Sequence, residues 1–130
     1  MEKIELEKGV VYKFDPQIYP RKLWIAVGTD TFKERFSNLS NFDESENGKV
    51  DNAHDDIENL GGLFIRFASI DEMRHENITH EAIHVVLETY DYCDVSVDTK
   101  NQEHLCYFAG WVAKCCGEVL KAEQERLGTK

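Results

Sequence analysis

The apolar positions along the chain change their spacing several times. Val10 to Phe14 is a short run of strand-prone residues that stops at Asp15-Pro16, and Arg21 to Val27 alternates around Leu23, Ile25 and Val27 before Gly28. Runs of this kind bounded by turn formers predict two strands. From Asp30 to Leu39 the spacing becomes helical. Phe32, Phe36 and Leu39 fall on one face and Asp30 can cap, so an early helix is expected there.

Phe42 to Asn59 is acidic and polar, with Asp43-Glu44, Asn47-Gly48 and Asp55-Asp56. So few apolar side chains predict an acidic surface loop over residues 42–60. Leu63 to Phe67, set off by Gly61-Gly62, is the strongest strand signal. Two helices are expected afterwards, one from about Asp71 or Asn77 to Tyr90 and one from about Asn101 to Leu127. In the second, Leu105, Phe108, Ala109, Val112, Ala113, Cys116, Val119 and Leu120 make a broad apolar arc. The pattern predicts an α+β fold: a small antiparallel-type sheet with an early helix, then a motif-bearing helix and a long C-terminal helix.

Length and composition add limits to this picture. The 130 residues make a single domain, 1–130, with one core that any site must share. No apolar run approaches the roughly 20 residues of a membrane helix. The N-terminus alternates charge and lacks the apolar stretch of a secretory signal, so a cytoplasmic location is expected. A formal charge of −10 argues against nucleic acid as a partner, since that role needs clustered Lys and Arg to displace counterions. Cys93, Cys106, Cys115 and Cys116 lack zinc-ribbon spacing. They are expected to be buried apolar residues, the alternative being a disulfide from Cys93.

Chemistry is concentrated in Thr79 to Val85, which reads THEAIHV. Ala82, Ile83, Val86 and Tyr90 form a helical apolar stripe around it, so the motif sits on a helix. Histidines four apart project from one face, and the imidazoles of His80 and His84 can share one Zn²⁺. Glu81 lies about 100° to the side, where it meets a water rather than the metal and can act as general base.

A catalytic zinc needs a further protein ligand. Glu103, near the start of the next helix, is the leading candidate; His104 is its rival, and a plain helix-terminal carboxylate is the simpler role for Glu103. Tyr107, one turn on, could donate to an oxyanion, with Tyr90 and Tyr92 as weaker alternatives. Asp91 could orient a ligand imidazole. His75 and His54 are expected to be surface residues.

This pattern resembles the zincin metallopeptidases over about Leu63 to Lys121, and within them the gluzincins, in which HExxH on one helix is completed by a Glu on the next. The stretch from Gln102 to Trp111 is similar to the second-helix segment of small zincin-like proteins encoded by bacteriophages. The resemblance implies His80, His84 and Glu103 as Zn²⁺ ligands, Glu81 as base, and the Leu63 to Phe67 strand as an edge that aligns an extended peptide. Gln102 stands where thermolysin-like enzymes carry Asn, and a long C-terminal domain to wall a cleft is not expected. The expected activity is hydrolysis of a peptide or protein by a minimal zinc metallopeptidase. The alternative is a non-catalytic binding protein, a phage factor that grips a host protein and uses the metal structurally.

Overall fold

A computed structural model describes residues 1–128. Six strands, β1 (Glu2–Leu6), β2 (Gly9–Phe14), β3 (Lys22–Val27), β4 (Phe36–Ser37), β5 (Gly48–Asp55) and β6 (Leu60–Phe67), precede two helices, α1 (His75–Tyr92) and α2 (Glu103–Arg126). They form one sheet in the order β1-β2-β3-β6-β5-β4. Every neighbouring pair is antiparallel except β3 and β6, which run parallel from Lys22↔Gly62 to Val27↔Phe67.

The central strands have near-continuous apolar runs because both faces of the sheet are covered. On one face Tyr12, Phe14, Leu23, Ile25, Leu63, Ile65 and Phe67 pack against α1 and α2 through Val85, Val86, Tyr90, Val112 and Val119. On the other, Val11, Trp24, Ala26 and Phe64 meet Phe32 and Phe36. That second cover is the segment from Gly28 to Asn47, and it corrects the expectation of an early helix over Asp30 to Leu39. Phe32 and Asn38 have positive φ, of 46° and 73°, and the Asp30 side chain accepts the Phe32 amide in a local turn. Each aromatic instead fills its own hole on the sheet, with Phe36 edge-on to Trp24 at 5.2 Å and to Phe64 at 5.0 Å.

The acidic segment is also reassigned, since residues 48–55 of the expected loop form β5. Its carboxylates are neutralised by distant arginines. Asp51 accepts from fully buried Arg66 at 2.8 Å, and Asp55 accepts from Arg35 at 2.7 Å. Burial opposes ionisation of Asp55, yet Arg35 and the Glu58 and Ile57 amides hold its carboxyl below the usual range. With those charges paired, the backbone ladder to β6 and the burial of Ala53 make a strand of unpromising composition.

Helix α2 returns alongside α1. His104 stacks on Tyr90 at one end, and Ala113 and Gly117 share a groove with Ile78 and Thr79 at the other. The buried stripe of α1 is Glu81, Ala82, Val85, Val86, Thr89 and Tyr90, so Ile83 is rotated out of the core and is 38% exposed. All four cysteines are free; Cys115 and Cys116 are buried as expected, whereas Cys106 is exposed and Cys93 half-buried. Among the described residues, no helix is long and apolar enough to cross a membrane.

Candidate metal centre

His80 and His84 stand one turn apart on the exposed face of α1, their rings 4.8 Å apart and inclined at 74°. Their Nε2 atoms face each other at 3.2 Å. Zinc–nitrogen bonds of ~2.0–2.1 Å at a tetrahedral angle put two ligand nitrogens ~3.3 Å apart. The observed spacing is therefore that of a pair ready to chelate, set by the helix itself. A carboxylate oxygen of Glu81 joins the two imidazole nitrogens, all lying within 4.8 Å of one another.

Glu81 is the unusual member. It is 4% exposed, and among the described residues no donor reaches its carboxylate within hydrogen-bonding distance. Burial raises its pKa above the ordinary glutamate value, while His80 and His84 pull it back. Its carboxylate lines the cleft beside the two imidazoles, where a divalent cation could pair with it. Two imidazole nitrogens with a carboxylate beside them are a donor set that zinc and its transition-metal neighbours favour over Mg²⁺ or Ca²⁺.

The three side chains open into a cleft of about 310 Å³ lined also by Gly48, Lys49, Val50 and Glu88. Its far wall is β5, which runs the same way as α1. Glu81 approaches Gly48, and four residues along, Asn52 donates to Glu88 at 3.2 Å. The Asn47 carbonyl accepts from Ala68 beyond the end of β6, so by strand alternation the backbone groups of Lys49, Asp51 and Ala53 also face β6. Those of Gly48, Val50 and Asn52 face the other way. Strand β4 covers β5 only at His54 and Asp55, so among the described residues these three have no backbone partner. An open strand edge thus runs beside the His80–His84 ridge.

This edge corrects the assignment of Leu63 to Phe67 as the peptide-aligning strand. That stretch is inside β6, paired to β3 on one side and β5 on the other. Its apolar character reflects burial on both faces.

The structure does not bring Glu103 to the pair. Glu103 is the exposed first residue of α2, whose first turn lies beside the last turn of α1, where His104 stacks on Tyr90 at 5.4 Å. From the level of His80 to that of Tyr90 is about 15 Å of helical rise. Tyr107 is 76% exposed and lines a separate groove with Pro16, Ile18 and Trp111, so it too is away from the imidazoles. His104 is committed to Tyr90, and Tyr92 lies under the Arg21 guanidinium at 4.2 Å. Asp91 is exposed on the last turn of α1, and His75 begins that helix. His54 is held by Asp56 at 2.7 Å and Asn59 at 3.0 Å, which fixes the turn after β5.

Sequence reasoning overlooked Gly48, Asn52 and Glu88. Glu88 carried a signal, because it continues the spacing of His80 and His84 by one more turn. Gly48 and Asn52 carried none, since their roles depend on a strand whose stabilising arginines are remote in the chain. Comparison with protein families, with curated proteins and with solved structures returns no match.

Proposed function

We propose that this protein binds Zn²⁺ through Nε2 of His80 and His84 and hydrolyses an extended peptide, with Glu81 as general base. The observation that carries this reading is the 3.2 Å separation of the two Nε2 atoms with the buried Glu81 carboxylate beside them. Bound there, zinc would polarise a carbonyl and lower the pKa of water.

The chain's own groups supply the rest. Glu81, its proton affinity raised by burial, takes a proton from water in the cleft and returns it to the leaving amine. Gly48, Val50 and Asn52 offer backbone donors and acceptors to a strand laid along β5, which holds a peptide over the His80–His84 ridge. The Asn52–Glu88 hydrogen bond keeps that edge and α1 in register.

Glu103 has no part in this reading, and neither has Tyr107; water and the substrate carbonyl would take the positions that a third protein ligand fills in other catalytic zinc sites. The alternative of a zincin-like protein that grips a host protein, its metal tying two helices together, has less support. Both imidazoles come from α1, and α2 offers no ligand near them. An extended partner held on β5 without turnover stays as the second outcome.

The test combines metal analysis with peptide cleavage, using protein without a polyhistidine tag. The parent should hold about one zinc per chain, His80→Ala and His84→Ala should hold none, and Glu81→Gln should keep zinc and lose cleavage of a mixed peptide library. Peptide binding without cleavage in the parent selects the non-catalytic outcome. A parent that takes up no zinc ends the metal reading.

A further inference from the structure

Gly48 lies directly against Glu81. A Cβ built on Gly48 would stand 2.9 Å from Glu81 Oε2, 3.1 Å from Cγ and 3.2 Å from Cδ, so the end of that flexible side chain would have to shift to make room. Gly48 is not among the positive-φ glycines, so its backbone is one that any residue could adopt. Clearance, rather than conformational freedom, is what glycine provides here. The missing side chain leaves a recess in the wall of β5, and the Glu81 carboxylate occupies it.

A side chain at position 48 would drive that carboxylate off the strand. The open direction is the cleft where the two Nε2 atoms converge. The recess therefore sets how near the carboxylate comes to the imidazole pair.

We infer that Gly48 is a positioning residue for Glu81, seating its carboxylate beside the His80–His84 pair and away from direct ligation. Gly48 also turns its own N–H and C=O to the open edge of β5. The residue that seats the base is then the one that would register a docked strand against it. The functional meaning of this inference rests on the metal reading above, whereas the seat itself does not.

Four full-length proteins decide it: the parent, Gly48→Ala, Glu81→Ala and the double variant. In the metal-free state Gly48→Ala should be less favourable to the melting temperature in the parent, where the Glu81 carboxylate must move aside, than in the Glu81→Ala background. In the Glu81→Ala background, where the carboxylate is gone, the same change should be neutral or raise it, as Gly→Ala does at compatible backbone positions. The visible absorption of the Co²⁺-loaded protein should shift in Gly48→Ala, and the double variant should match Glu81→Ala. If Gly48→Ala does not fold, a double variant that folds and melts like Glu81→Ala supports the seat equally well. An equal change of melting temperature in both backgrounds, or an unchanged cobalt spectrum in Gly48→Ala, overturns the inference. A parent that binds no cobalt overturns the metal reading instead, and the melting comparison alone then decides whether Gly48 seats Glu81.

Discussion

Arg66 Nη2 donates to Asp51 Oδ2 at 2.8 Å across the β6–β5 pair, from a side chain that is wholly buried. The same guanidinium donates to the carbonyls of Ser40 at 2.6 Å and Asp30 at 3.0 Å. One residue of the central strand therefore ties down the segment that covers the outer face and the strand that walls the candidate site.

Removing that residue should be costly. Arg66→Met leaves the Asp51 carboxylate half-satisfied by Ser40 Oγ and frees two backbone carbonyls. Breaking a buried pair from one side costs about 3–5 kcal/mol. Urea unfolding should show a loss of that size, and hydrogen exchange should show weakened protection at Lys49 and Asp51, whose amides face β6. A loss below about 1 kcal/mol, the range of exposed ion pairs, would contradict this role.

Zinc affinity separates the candidates that the fold brings together from those that it holds apart. Glu103→Ala and Tyr107→Phe should leave it within about twofold, because both residues lie off the imidazole ridge. His80→Ala should reduce it at least a hundredfold, equivalent to about 2.7 kcal/mol. Titration against a competing chelator measures all of them. A Glu103→Ala protein as defective as His80→Ala would mean that α2 swings to complete the site.

The contrast between His80–His84 and Glu103 shows what kind of site is legible in a sequence. Two histidines four apart need nothing except a helix to converge, and the local apolar pattern supplied that helix. Glu103 needed a correct guess of where α1 ends and how far α2 is displaced along it. That depends on the turn from residues 93 to 102, which carries no strong signal. The aromatic spacing of Phe32, Phe36 and Leu39 misled for a related reason, since side chains three or four apart also serve an irregular strap dropping one ring at a time onto a sheet. Polar β5 was hidden because Arg66 and Arg35, which neutralise it, lie outside the strand. Even within the well-read helix, the core stripe passes through Val85 rather than Ile83.

Glu81 should weaken the metal-free protein. Its folded-state pKa is raised, mainly by burial and against the pull of His80 and His84. A carboxyl of this kind favours the protonated form. Its cost is absent below the ordinary glutamate range, grows as pH climbs through that range, and levels off above the raised value. Glu81→Gln should therefore stabilise the metal-free protein at neutral pH, by less than the cost of about 1–3 kcal/mol for a fully buried unsatisfied group, because its carboxylate lines the cleft. The gain should vanish near pH 3. Denaturant unfolding of chelator-treated protein at the two pH values checks both statements.

At the far end of α2 the sign reverses. Glu123 is 1% exposed, accepts from Tyr12 Oη at 2.7 Å and from Arg126 Nη2 at 2.9 Å, and thereby anchors the helix to β2. Burial pushes its pKa up, but Arg126 and Tyr12 more than offset that and hold it below the ordinary value. The stability it contributes is fully present above the ordinary glutamate range and is lost as pH falls through the depressed value. Glu123→Gln should cost about 1.5–3 kcal/mol at neutral pH, the range for hydrogen bonds to a charged group, and progressively less in acid. Unfolding free energies of the two proteins should therefore converge as pH is lowered. Parallel curves across the acid limb would show that Glu123 acts by packing and not by charge.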